Sequence, residues 1–170
     1  MSRLIADASA LVSLGIVTDD DPDPLALCLS RYEVVVPTAV IDELREIASY
    51  DDVHGHAASA VLDRVDALTT QSVDLDAEFP LDDGENAAVT LANDLDAALF
   101  LCDEFTQLGL IHASLADTRL VTTPTLLSIF VRTGHLSAAN ARLLLDAISD
   151  ARSWGASSYV QRARSLLKKP

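Results

Sequence analysis

Lysine is nearly missing from this chain: of 12 basic residues only Lys168 and Lys169 are lysines, both close to the C-terminus. A response-regulator receiver, which needs a lysine at the end of an internal strand, is therefore excluded. Glycine is scarce too, and none of the six falls into a Walker or GxGxxG loop, so the backbone cradles of nucleotide-binding folds are absent. Cys28 and Cys102 are too few for a disulfide framework, and in their apolar contexts they read as small buried hydrophobes with no chemical role. No apolar run is long enough to span a bilayer, and Asp7 interrupts the first one before a signal-peptide core could form. The expectation is a soluble, cytoplasmic protein with no membrane attachment.

What the chain has in excess is acid. It carries 26 acidic residues, mostly aspartate, for a net charge of −14. This skew resembles proteins of organisms that keep molar salt in the cytoplasm, where the Debye length falls to ~3 Å and a hydrated acidic surface maintains solubility. In such a halophilic setting the negative charge argues only weakly against a nucleic-acid substrate. The charge is also uneven: residues 1–118 hold 4 basic and 24 acidic residues, whereas 119–170 hold 8 and 2, so the C-terminal third is locally basic.

With 49% apolar residues in 170, the chain suits one well-packed domain. The stretches RLIAD (3–7), EVVVP (33–37), SVDL (72–75), AALFLCD (97–103) and RLVTT (119–123) read as short buried strands. Helical spacing separates them, in ASALVSLG, PDPLALCLSRY, TAVIDELREIAS and residues 53–68 and 83–95, with Thr38 and Asp82 at N-cap positions. Helices over 104–114, 124–133, 138–150 and 157–168 complete the chain. Strands alternating with helices predict an α/β three-layer sandwich, with a central, mostly parallel sheet of about five strands flanked by helices.

In such sheets functional groups collect beyond the carboxyl ends of the strands. Asp7 and Asp103 close two of the apolar runs. At 100° per residue, Glu43 lies at the edge of the apolar arc of its helix, and Glu85 lies on the apolar arc of the next. A carboxylate turned toward a core needs a partner, because burying an unpaired charge is costly. Four such groups together call for a divalent cation. Ser9 stands where a haloacid-dehalogenase phosphatase would need its second aspartate, which argues against that class. His54, His56, His112 and His135 are assigned to surface or helix-face positions rather than to zinc.

The order and context of these acids resemble the PIN-domain family of metal-dependent ribonucleases, which includes VapC-type toxins. The likeness rests on IADASALVSL, VVPTAVIDELREI, LDDGENAAVTLA, LFLCDE and the TGHL at 133–136. It implies a PIN-like nuclease domain over 1–136, with 137–170 as a C-terminal helical extension packed on the same domain. It further implies Mg²⁺ or Mn²⁺ held by Asp7, Glu43, Glu85 and Asp103 as the catalytic set, activating water to hydrolyse RNA. Ser9, Asn86 and Glu104 would support them, and Glu104, adjoining Asp103, could share or replace it as ligand. An antitoxin protein would be the partner of a toxin, and a homodimer is expected. Arg142, Arg152, Arg162 and Arg164 are the candidate contacts for RNA or a partner, since phosphate affinity comes chiefly from Arg and Lys. The competing reading is a PIN-like module that binds RNA or protein without cutting it.

Overall fold

Five short strands form the centre of the molecule: β1 (Arg3–Ala6), β2 (Glu33–Pro37), β3 (Thr69–Gln71), β4 (Leu99–Leu101) and β5 (Arg119–Val121). The computed structural model describes residues 1–168; Lys169 and Pro170, the end of the expected extension, lie outside the described residues. All four strand pairings are parallel, in the order β3-β2-β1-β4-β5. The chain builds outward from β1 to one edge, then returns to β4 on the other side of β1. The switch point of the sheet therefore lies between β1 and β4, where parallel α/β sheets open a crevice at their carboxyl ends.

Side chains alternate across the pleat with period two. Leu4, Ala6, Val34, Val36, Leu99 and Leu101 enter one apolar cluster, while Ile5, Val35 and Phe100 enter a second. The second cluster is closed by α5 (Asp83–Leu95) and α6 (Leu108–Ser114). The larger one is covered by α1 (Ala8–Gly15), α2 (Pro24–Arg31), α3 (Thr38–Ala48), α4 (Val53–Leu62), α7 (Thr123–Arg132), α8 (Ala138–Arg152) and α9 (Ser158–Leu167). These are the three expected layers. Leu144, Leu145 and Ile148 of α8 and Val160 and Ala163 of α9 belong to the same buried cluster as Leu4 and Leu11, so the C-terminal helices share the main core.

Four local expectations are corrected. The third strand occupies Thr69–Gln71 rather than 72–75. Its side chains are exposed at the sheet edge, so no apolar alternation marks it, and the helix read over 53–68 stops at Leu62 before a 3₁₀ turn at Val65–Ala67. Thr38 is the first residue of α3 and not its cap; Pro37 holds that position, and the Thr38 hydroxyl lies 3.0 Å from Ser72 Oγ. The helix expected from 104 begins at Leu108, because Phe105 and Gln107 first donate to the carbonyls of Asp103 and Glu104 in a tight turn.

Helices α1 and α4 pack in close contact. A Cβ on Gly15 would lie 2.3 Å from the Ala57 carbonyl oxygen, so α1 and α4 can approach this closely only with glycine there. Gly15→Ala should cost ~1–3 kcal/mol through overpacking and lower the Tm by about 2–12 °C. A variant melting with the parent would show that the helices are farther apart than this.

Candidate active site

The carboxyl ends of β1 and β4 run directly into acids. The Asp7 amide donates to Leu101 O at 3.0 Å, tying the end of β1 to β4. Asp7 then caps α1, accepting from Ser9 N at 3.3 Å. The Ser9 hydroxyl donates to Asp7 Oδ2 at 3.1 Å and accepts the Asp103 amide at 2.9 Å. One side chain thus aligns both strand-end acids. Cys102 adds a second donor, with Sγ 3.0 Å from Asp7 Oδ2. It also accepts the Glu104 amide at 3.4 Å. The sequence reading had given Cys102 no chemical role; the structure assigns it a bond to the first acid. Burial and the neighbouring Asp7 carboxylate push its thiol far up, so it remains a donor.

Asp103 has a different environment from the others. Its Oδ1 accepts Thr123 N at 2.7 Å and its Oδ2 accepts Thr123 Oγ1 at 2.6 Å, at the first residue of α7. Burial raises its pKa, opposed by Thr123, Ser13 and the positive charge of Arg152. Glu104, the next residue, feels the cluster: burial raises it, and then the charge of Asp7.

The glutamates come from helices on opposite sides of the sheet. Glu43 projects from α3 toward the first turn of α5, where a Cβ on Gly84 would lie 2.6 Å from Glu43 Oε2. Glycine at 84 keeps that cradle open. Glu85 is buried, at 8% exposure, as its helical phase predicted. Asp82 caps α5 by accepting Glu85 N at 2.8 Å, which confirms its expected cap role and also brings its charge into the cluster. Burial, then Asp7, Asp82 and Glu104, push Glu43 up to about 7. Burial, then Asp82, Asp7 and Glu104, push Glu85 up to about 8. Glu43, Glu85 and Glu104 are thus each raised by the charges of Asp7 and Asp82.

Among the described residues, no group of three or more His, Cys, Asp or Glu is spaced as it stands to hold a metal ion. The donor set nevertheless fits a hard divalent cation in its chemistry, being all carboxylate oxygen with an excess of buried negative charge. The Gly84 cradle gives Glu43 its place in that set.

Asn86 does not turn to a carboxylate as expected. It anchors the preceding loop, accepting Asp76 N at 3.0 Å and donating to Asp76 O at 2.7 Å. Of the four candidate arginines, Arg142 donates to Leu167 O at 2.6 Å and Arg164 pairs with Asp146 at 3.0 Å, binding α8 to α9. Arg152 lies over the Trp154 ring and biases Asp103 and Glu104 toward ionisation. Arg162 lines an open cavity with Arg119 and Arg132. Sequence reasoning missed Asp82 as a member of the acid cluster, Thr123 as the partner of Asp103, and Cys102. Of these only Asp82 left a trace, in the paired acids of LDDGE.

A family model described as PIN domain matches residues 3–169. The chain belongs to the PIN-domain family. No curated protein gives a significant match. The PIN domain is a nuclease fold, and its match runs through the C-terminal helices as well as the sheet. Among the described residues no helix is long and apolar enough to cross a membrane.

The raised acids set the sign of a pH effect. The folded PIN domain keeps protons on Glu43 and Glu85 up to about pH 7 and about pH 8, whereas the unfolded chain releases them near 4.5. Their contribution to stability is therefore full below about pH 4.5 and is lost as pH rises through about 8. In chelator, denaturant unfolding should give falling stability between about pH 5 and pH 8.5. Glu85→Gln should flatten that decline and be at least as stable as the parent at the upper end. Parent stability that holds level or rises over this range would contradict the buried, repelling arrangement.

Proposed function

We propose that this PIN domain is a divalent-metal-dependent ribonuclease that hydrolyses RNA phosphodiester bonds. The observation that carries the reading is the gathering of Glu43, Glu85 and Glu104 within reach of the charge of Asp7, at the switch point of the sheet. These four would hold Mg²⁺ or Mn²⁺. Asp103, first expected among the ligands, is assigned to positioning: held by Thr123, it fixes the turn from which Glu104 projects. When bound, the ion supplies the counter-charge this cluster lacks and a Lewis acid for the scissile phosphodiester.

The protein's own groups do the rest. Ser9 and Cys102 hold Asp7 in one orientation, so the ligand with the least freedom is the one at the strand end. Glu43 and Glu85 carry protons near neutral pH until a cation displaces them, so metal affinity rises with pH. Arg152 offsets part of the charge on the β4 side. The role of toxin in a toxin–antitoxin pair is the finer setting we infer for this activity. A small gene immediately upstream encoding a DNA-binding antitoxin would support it.

Labelled single-stranded RNA incubated over a range of salt, with Mn²⁺ or with chelator, tests the activity. Cleavage should require the ion. Glu104→Gln and Glu85→Gln should each lose more than about 100-fold, while Asp103→Asn should lose about 10–100-fold, the range for groups that orient ligands. Cleavage abolished by Asp103→Asn and retained by Glu104→Gln would reverse the assignment. RNA left uncut with every divalent ion would place the chain with the PIN-like modules that bind without cutting.

A further inference from the structure

A second charged feature lies outside the acid cluster. Arg119 at the start of β5, Arg132 at the end of α7 and Arg162 on α9 line a cavity of about 430 Å³, floored by Val131, Ala163 and Leu167. All three guanidinium groups are exposed, and none makes a salt bridge among the described residues. In a chain with 26 carboxylates, three arginines gathered on one cavity without an acid partner are an anomaly that an anion would resolve.

The cavity adjoins a second one. Tyr159 and Thr125 line both it and a neighbouring cavity of about 380 Å³, whose wall includes Thr122. Thr122 directly precedes Thr123, the residue that holds Asp103. Tyr159 is 45% exposed and stacks on Phe105 with centroids 5.2 Å apart and planes 25° from parallel. Phe105 directly follows Glu104. An aromatic pair thus stands between the arginine-lined cavity, which Tyr159 lines, and the turn that carries Glu104.

We propose that this groove binds single-stranded RNA, with phosphates on Arg119, Arg132 and Arg162 and a base against Tyr159. The proposal rests on the acid cluster being a phosphodiester site. Guanidinium forks match phosphate oxygens, and an exposed aromatic face accepts any base. An acidic peptide would satisfy the arginines but leaves the aromatic pair without a role.

Fluorescence anisotropy of a short labelled single-stranded RNA, titrated with the full chain in chelator, separates binding from cleavage. Replacing Arg119, Arg132 and Arg162 together with Gln should weaken binding at least tenfold. It should also reduce the slope of log affinity against log salt by about 2, from three phosphate contacts at ~0.7 each. Tyr159→Ala should weaken binding about fivefold to hundredfold, with Tyr159→Phe restoring it. Melting curves that match the parent certify the triple variant as folded, and Tyr159→Phe provides an independent probe. Unchanged affinity and slope in the folded triple variant would overturn the proposal. So would arginine-dependent binding of a polyglutamate peptide by a protein that does not bind RNA. Arginine-dependent RNA binding without cleavage in Mn²⁺ would support the groove and remove the nuclease reading alone.

Discussion

The Ser9 hydroxyl is the joint on which the site depends. It donates to one strand-end acid and accepts the amide of the other, so the ends of β1 and β4 are held in register by side chain as well as by ladder. Parallel pairing brings the two termini level, and the first turn of α1 supplies the hydroxyl two residues after Asp7. Moving any of these would separate the acids. A charged cluster can be placed reproducibly in a small domain because its first member is fixed by three donors, Ser9 N, Ser9 Oγ and Cys102 Sγ.

Around that joint the energetics favour a proton or a cation. Burial penalises each charge, and the neighbours penalise it again. The fold tolerates this because the cluster is small against a continuous apolar core running from Leu4 to Leu167. Helix starts also help: Asp7, Asp82 and Asp103 each lie at the N-terminus of a helix, where backbone N–H groups favour negative charge. The site is thus three helix starts meeting at the carboxyl ends of β1 and β4, with three glutamates, Glu43, Glu85 and Glu104, beside them.

How much of this was readable from the chain divides by physical cause. The parallel sheet was legible because EVVVP and AALFLCD are apolar on both faces, which only burial between two helical layers requires. Glu85 was legible because a charge on an apolar arc is locally inconsistent. β3 was misplaced because TTQ faces solvent at the sheet edge and follows no apolar pattern. The bonds that hold Asp103 depend on where Thr123 falls, 20 residues later, and no local spacing encodes that. Cys102 read as filler for the same reason: its partner lies 95 residues away in sequence.

The two edge strands, each three residues long, have a consequence for self-association. An open sheet can extend by pairing its unpaired backbone with another molecule's, and long flat edges invite this. Here the ladder narrows from five residues in β2 to three at either side, and one edge carries only Thr69, Thr70 and Gln71, all exposed. Too few free amides and carbonyls remain in line for a second sheet to grow there. A second copy of the chain would have to meet it through helices, with the sheet of each molecule left closed to the other.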